Sequence, residues 1–244
     1  MEIPLAVTGS IERDRHEVRV ELIGNGKIMA AATAGLRMLE YYISPEAKVA
    51  LLPDEEGLLE DILLQAGADY KVISDHYLRA GELDFYDVFL LGTGCFQEYG
   101  SLVSAGDRLR EYVKYGGAVL IFGQSSDRQA DYFPVSLIPQ SAKLCGESLM
   151  TVNIDHPVLR GRYGVDANRL IEEARAGYMC LPADVFPGEG LIVDDGGGML
   201  LSETALGKGR IIYCGLPLTA MMHDLNPEGA KLFSNLIDYL IKQL

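Results

Sequence analysis

The side chains best suited to chemistry are spread widely along this 244-residue sequence. Its cysteines, Cys95, Cys145, Cys180 and Cys214, are far apart, and no Cys-x-x-Cys pair or other metal-ligand spacing joins them. The sequence also lacks a His-Glu-x-x-His motif, and Gly207-Lys208-Gly209 lacks the frame of a phosphate-binding loop. We therefore expect reduced thiols, no metal site and no bound cofactor.

An acidic run, Asp54-Glu55-Glu56, follows the first apolar strand of the predicted α/β region. Carboxylate oxygens are the ligands that hard divalent cations prefer, so this run has the chemistry of a cation site. It also has the composition of an ordinary helix start, where the helix dipole stabilises negative charge. Three carboxylates would repel a phosphate group here, which argues against bound flavin mononucleotide. We favour the helix start.

The net charge excludes some classes of partner. The chain carries a formal charge of -14, so it repels the phosphate backbone of nucleic acids. No apolar run approaches the roughly 20 residues that cross a membrane. The first residues lack a basic segment followed by a long apolar stretch, so no signal peptide is predicted. We expect a cytoplasmic protein.

Short apolar segments alternate with helical patterns from Ala47 onward. These segments are KVALLP, YKVISD, DVFLLG and AVLIFG. Strands that are apolar throughout and alternate with helices are typical of a parallel sheet covered on both faces. Asp54 can cap the first helix, which stops at Gly67. The pattern predicts an α/β domain over residues 47–244, with its ligand crevice at the carboxyl ends of the strands.

The second half of the chain has strands joined by glycine-rich turns, and it ends in a long amphipathic helix. Asp194-Asp195-Gly196 and Gly207-Lys208-Gly209 are hairpin turns by composition. Asn226 and Pro227 have the residue types of a helix cap and a first helical position. The apolar stripe predicted to be buried comprises Leu232, Phe233, Leu236, Ile237, Leu240, Ile241 and Leu244.

Residues 1–46 form an extension with a different pattern. A weak alternation predicts one or two strands that end at the turn Gly24-Asn25-Gly26, and the spacing over 28–44 predicts a helix broken by Pro45. The apolar face of that helix must be covered, either by the rest of the chain or by a second copy. We lean towards a homo-oligomer.

Three local patterns occur in order along the chain: LLGTGC, GGAVLIFGQSS, and GKGRIIYCGLP followed by the last helix. Together with the order of elements, they resemble the class I glutamine amidotransferase-like superfamily. The phrase HPVLRG resembles the ThuA-like, carbohydrate-enzyme-associated branch of that superfamily. The resemblance covers residues 47–244. It implies a flavodoxin-like three-layer α/β sandwich with a mainly parallel sheet, a late β-hairpin and a C-terminal helix.

The resemblance also identifies positions where active members carry their catalytic groups. The nucleophile turn corresponds to Gly123-Gln124-Ser125-Ser126-Asp127, which puts Ser125 in the position of the nucleophilic cysteine. Amidotransferases have a His-Pro pair after the last core strand, where this chain has Cys214-Gly215-Leu216-Pro217. These departures argue against glutaminase chemistry. One alternative remains, a hydrolase that uses Ser125 with His156 or His223 as its base.

The turn Gly92-Thr93-Gly94 before Cys95 corresponds to the turn that supplies oxyanion-hole N–H groups in the superfamily. We expect Cys95 to be a half-buried small residue and not a nucleophile. The favoured function is a diverged, non-catalytic domain that binds a small ligand or a partner; the alternatives are the hydrolase and a ThuA-like, carbohydrate-associated enzyme. The predicted crevice residues are Asp54, Glu55, Gly92, Thr93, Gly94, Cys95, Gly123, Gln124, Ser125 and Ser126.

Overall fold

The computed structural model describes residues 16–24, 26–36, 39, 41–54, 56–95, 101–124, 148–174 and 188–241. The chain divides into two compact units, Met1–Glu40 and Tyr41–Leu244. The second unit begins before the predicted boundary at residue 47, because Ile43 is buried and the backbone N–H of Tyr42 donates to Ser234 Oγ at 2.8 Å. No helix in the described part of the chain combines the length and apolar character of a membrane span.

The first unit contains an antiparallel hairpin of strands β1, His16–Gly24, and β2, Lys27–Leu36. The predicted turn therefore lies between two strands, whereas a strand before it and a helix after it were expected. The helix predicted over 28–44 is wrong, because residues 27–36 pair with β1 along their whole length. The helical spacing predicted for this segment rested mostly on alanine and glycine. Their side chains are so small that their positions hardly distinguish the helical period from the strand period. Pairing across the tight turn therefore decides the conformation.

The second unit contains a mixed sheet in which parallel pairing predominates. Its strands are β3 (Lys48–Leu52), β4 (Asp69–Val72), β5 (Val88–Leu91), β6 (Ala118–Phe122), β7 (Leu149–Thr151), β8 (Glu189–Asp194), β9 (Met199–Leu206) and β10 (Gly209–Cys214). Their order is β4-β3-β5-β6-β10-β9-β8-β7. Neighbours from β4 to β10 are parallel, and those from β10 to β7 are antiparallel.

Helices cover both faces of this sheet and make three layers. They are α1 (Leu58–Gln65), α2 (Asp75–Ala80), α3 (Ser101–Lys114), α4 (Pro157–Arg160), α5 (Ala167–Glu173), α6 (Leu218–His223) and α7 (Pro227–Ile241). On one face, Leu78 of α2 and Leu109 of α3 join Phe89 of the sheet in a buried cluster. On the other face, Phe233 of α7 stacks on Phe122, with ring centroids 6.3 Å apart.

Several local predictions for the α/β unit are confirmed. Strands β5 and β6 are buried throughout, as expected for apolar strands between two helical layers. Gly197 and Gly207 provide left-handed turn positions in the two hairpins, with φ of 80° and 64°. Asn226 Oδ1 accepts the N–H of Gly229 at 2.9 Å and so caps α7. The α7 stripe is buried from Leu232 to Leu240, whereas Ile241 at the end of the helix is only partly buried and Leu244 lies outside the described residues.

Candidate functional site

The carboxyl ends of β3, β5 and β6 meet at one edge of the sheet, because these strands are parallel neighbours. The predicted crevice residues that follow them are brought together there. We call this set the carboxyl-edge group; it comprises Asp54, Gly92, Thr93, Gly94, Cys95, Gly123 and Gln124. Of the other predicted crevice positions, Glu55, Ser125 and Ser126 lie outside the described residues.

Gly92 allows the first two turns of the carboxyl-edge group to approach closely. A Cβ atom at this position would lie 2.4 Å from the backbone nitrogen of Asp54. The Gly92 N–H also donates to the carbonyl of Leu52 at 2.8 Å. The first glycine of the turn is therefore required by backbone packing.

The carboxylate of Asp54 is buried and serves the start of α1. Its Oδ1 accepts the N–H of Leu59 at 3.3 Å. Burial raises the pKa of Asp54 and the charge of Glu56 adds to this effect, although backbone hydrogen bonds oppose it. Within the described ranges, no group of three or more histidine, cysteine, aspartate or glutamate side chains is placed to hold a metal ion. The hydrogen bond to Leu59 gives Asp54 the helix-start role that its sequence position suggested.

Two backbone N–H groups of the turn after β5, those of Gly94 and Cys95, are engaged within the chain. Gly94 donates to the carbonyl of Gly123 at 3.0 Å, and Cys95 donates to the carbonyl of Gly92 at 3.2 Å. The side-chain amide of Gln124 reinforces the same turn, because its Nε2 donates to the carbonyls of Gly92 at 2.7 Å and Phe122 at 2.6 Å. These contacts tie the end of β5 to the end of β6.

The two described cysteines are buried thiols. Cys95 is 0% exposed, so the expectation of a half-buried residue is wrong; the closing of its turn against β6 encloses it completely. Burial raises the pKa of Cys95, and a hydrogen bond with the Gln124 side chain opposes this only in part. Burial likewise raises the pKa of Cys214 to about 12. Because a thiolate is the reactive form, neither thiol is an activated nucleophile.

Both ring nitrogens of His156 have partners. Its Nδ1 accepts the N–H of Val158 at 3.3 Å and caps α4. Its Nε2 lies 3.0 Å from Oε2 of Glu203, so Nε2 carries the proton and donates to the carboxylate. His156 therefore lies against the middle of β9, where Glu203 pairs with Ile212 of β10.

Arg210 and Tyr239 complete a hydrogen-bonded group around Glu203. Arg210 Nη1 donates to Glu203 Oε1 at 2.6 Å and also to the Tyr239 hydroxyl, and that hydroxyl donates to Glu203 Oε2 at 3.0 Å. Burial by itself raises the pKa of Glu203. The hydrogen bond from His156 and the charge of Arg210, with the hydrogen bond from Tyr239, outweigh burial and hold that pKa below its ordinary value.

His223 lies at the end of α6, and its side chain is 66% exposed. Its Nδ1 is 3.9 Å from the carboxylate of Asp224. The structure therefore places His156 in a structural group and His223 on the surface. A pairing of either histidine with Ser125 stays a prediction, since Ser125 lies outside the described residues.

One group of interacting side chains was not predicted from the sequence: His156 with Glu203, Arg210 and Tyr239. One signal for part of it was present in the predicted hairpin. Pairing around the turn Gly207-Lys208 puts Glu203 and Arg210 on the same face in diagonal positions. Their opposite charges make this pair recognisable before the structure is known.

No protein-family model matches the sequence, and no curated protein is significantly similar to it. Among solved structures, the chain is similar to cytoplasmic protein STM3548 from Salmonella typhimurium, with a TM-score of 0.50, 15% identity, and coverage of 91% of this chain and 95% of that chain. It is also similar to cytoplasmic protein STM1381 from Salmonella typhimurium LT2, with a TM-score of 0.51, 12% identity, and coverage of 93% and 96%. These similarities concern the fold alone.

Proposed function

We propose that this chain is a diverged, non-catalytic member of the class I glutamine amidotransferase-like superfamily that binds a small polar ligand at the carboxyl-edge group. The order of its parallel strands, β4-β3-β5-β6-β10, supports the flavodoxin-like part of this proposal, since it corresponds to the order 2-1-3-4-5. Open sheets of this kind bind ligands outside the carboxyl ends of their strands. We propose a cytoplasmic location as well, in line with the names of the two structural neighbours.

The observation that carries the non-catalytic proposal is the use of the N–H groups of Gly94 and Cys95. In the superfamily, this turn provides donors for the oxyanion of an acyl-transfer intermediate. Such donors must point at the developing negative charge before the reaction begins. Here both N–H groups donate to carbonyls of the chain itself. The electrostatic stabilisation that acyl transfer requires is therefore not preorganised at this turn.

The position of the catalytic base also argues against hydrolysis. The segment after β10 begins with Gly215 and Leu216, both buried, in place of the histidine of amidotransferases. His156 has its two ring nitrogens engaged by Val158 and Glu203. A serine hydroxyl needs an adjacent base to become a nucleophile.

The accessible part of the carboxyl-edge group is neutral and polar. Thr93, Gly94 and Gln124 are partly exposed, whereas the neighbouring carboxylate of Asp54 is buried. The Thr93 hydroxyl can both donate and accept hydrogen bonds, which suits hydroxylated ligands. The overall negative charge of the chain disfavours phosphorylated ligands. A sugar or polyol is therefore the ligand class that we propose.

A thermal-shift panel of monosaccharides, polyols and L-glutamine on the full chain tests this proposal. A ligand at 100 times its Kd stabilises the folded state by about 2.7 kcal/mol, which raises the Tm by several degrees. We expect at least one sugar or polyol to do so and Thr93→Trp to abolish the shift by filling the space beside the turn. Thr33→Trp, at an exposed residue of β2, is the matched control and should retain it.

Two results would contradict the proposal. The first is a panel in which no compound shifts the Tm, or a shift that Thr93→Trp leaves intact. The second is hydrolysis of an activated ester such as p-nitrophenyl acetate at a rate that Ser125→Ala abolishes, because this would identify Ser125 as a nucleophile.

A further inference from the structure

A second candidate site lies in a groove of about 890 Å³ between the end of α2, the 3₁₀ turn Leu83–Phe85 and the C-terminal half of α3. It shares no residue with the carboxyl-edge group. We call it the acidic groove and define it by six of its lining residues. These are Glu82, Asp84, Phe85, Asp107, Glu111 and Tyr115.

The groove is lined by four carboxylates, those of Glu82, Asp84, Asp107 and Glu111, and by one guanidinium, that of Arg108. This guanidinium donates to the backbone carbonyls of Leu78 and Gly81 at the end of α2. Asp107 and Glu111 form exposed ion pairs with residues of their own helix, and such pairs remain weak in water. In the described part of the chain, no ion pair is found for Glu82 or Asp84.

Two large rings are exposed at the same groove. The side chains of Phe85 and Tyr115 are 56% and 76% exposed. The Nζ atom of Lys48 lies 4.3 Å from the centroid of the Phe85 ring, so this ring already holds an ammonium group of the chain itself. Exposed aromatic side chains are enriched where proteins bind partners. The groove thus combines apolar contact area with an excess of carboxylates.

We propose that the acidic groove binds a basic segment of a partner protein, in which lysine or arginine side chains accompany apolar ones. Opposite charge steers such a segment to the carboxylates, and the rings of Phe85 and Tyr115 contact its apolar side chains. Small-molecule sites bury about 70–90% of their ligand, which a groove open along one side does not provide. A second copy of this chain, with its charge of -14, has the wrong sign.

Fluorescence anisotropy with the full chain tests this inference. The probe is a labelled octapeptide in which lysine and arginine alternate with leucine, and a peptide with glutamate at every basic position is its control. We expect the basic peptide to bind, more weakly as salt rises from low to physiological concentration, and the acidic peptide not to bind. The double variant Glu82→Lys/Asp84→Lys should weaken binding about tenfold or more, and Phe85→Ala should weaken it as well.

The control double variant Asp195→Lys/Asp224→Lys makes the same change in net charge at exposed residues outside the groove. It should retain the affinity of the original chain within about threefold. Equal losses in the two double variants would overturn the proposal, as would failure of the basic peptide to bind. Spermidine provides the last arm: binding of spermidine that depends on Glu82 and Asp84 and displaces the peptide would identify a small polycation as the occupant instead.

Discussion

The carboxylate of Glu203 accepts a hydrogen bond from Nε2 of His156 at 3.0 Å, and this contact joins the middle of β9 to the N-cap residue of α4. The ring of His156 also packs edge-on against Tyr239 of α7, with centroids 5.2 Å apart. The His156 side chain thus connects the sheet, a short helix and the long C-terminal helix. His156 was a candidate base in the sequence, but in the structure both of its ring nitrogens hold neighbouring elements together.

Replacing Glu203 by glutamine should destabilise the chain at neutral pH. The amide keeps the size of the side chain but removes the charge that Arg210 and His156 face, and its NH₂ group cannot accept hydrogen bonds. We expect a loss of about 1–3 kcal/mol in the free energy of unfolding from urea denaturation. Glu172→Gln, on the exposed surface of α5, should change this free energy by less than about 0.5 kcal/mol.

The same variant predicts a pH dependence. Because the pKa of Glu203 is lower in the folded chain than its ordinary value of 4.5, its carboxylate stabilises the fold above that pH. The stabilisation is lost as the pH falls from 4.5 through the folded-state pKa. The difference between the original chain and Glu203→Gln should therefore shrink in acid. A difference that grows below pH 4.5 would contradict the assignment.

Cutting Leu236 to alanine should cost about 2–5 kcal/mol in the free energy of unfolding, because its side chain is 0% exposed on α7. Leu64→Ala is the matched control on α1, where the side chain is 66% exposed, and it should have little effect. Chemical denaturation of the two variants compares them directly. Similar losses would mean that the stripe of α7 is not buried.

Gly92→Ala should lower the Tm by more than the same substitution does at a glycine without close neighbours. The added Cβ would meet the backbone of Asp54 at 2.4 Å, and overpacking of this kind costs about 1–3 kcal/mol or more. Gly164→Ala is the control, since a Cβ there has nothing within 4 Å. Calorimetry on both variants measures the difference, and equal Tm values would show that the two turns do not approach as described.

We expect no release of ammonia from L-glutamine above the uncatalysed rate. Ser125 stands at the position that the proposed superfamily would give to a nucleophilic cysteine, and the N–H groups of Gly94 and Cys95 are already hydrogen-bonded within the chain. A coupled glutamate dehydrogenase assay measures this, with Ser125→Ala as the control. Ammonia release that the substitution abolishes would refute the prediction.

The homo-oligomer remains a prediction from the first unit. Val20, Ile28 and Met29 of its hairpin are exposed, and a two-stranded hairpin is marginally stable by itself in water. We expect light scattering to give a dimer or larger species for the full chain and a monomer for a chain that starts at Tyr41. A full chain that stays monomeric up to its solubility limit would contradict this prediction.

The parallel half of the sheet could be predicted from the sequence because its strands are buried on both faces. VFLL and AVLIF contain no polar residue, and only a central strand accommodates such runs. The segment KIMAAATAGL offered no comparable signal. Its small side chains fit a helix face or a strand, and the partner strand decides between them.

The carboxyl-edge group could be predicted as a set of neighbouring residues, but its contacts could not. That the turns after β3, β5 and β6 meet follows from parallel pairing. The hydrogen bonds from Gly94 to Gly123 and from Gln124 to Gly92 are different. They form only if turns that are far apart in the sequence are positioned to within a few tenths of an ångström. The same holds for His156 and Glu203, whose contact depends on how α4 packs.

The lengths of the outermost strands have a consequence for aggregation. The eight-stranded sheet ends in β4 and β7, of 4 and 3 residues, and β4 carries exposed Asp69 and Lys71. Strands this short offer few unpaired backbone groups to another molecule, and the charges of β4 add to this protection. The hairpin is different, because β1 and β2 have 9 and 10 residues, and β2 has no charged residue after Lys27. Disordered strand-to-strand association at high concentration should therefore begin at β2.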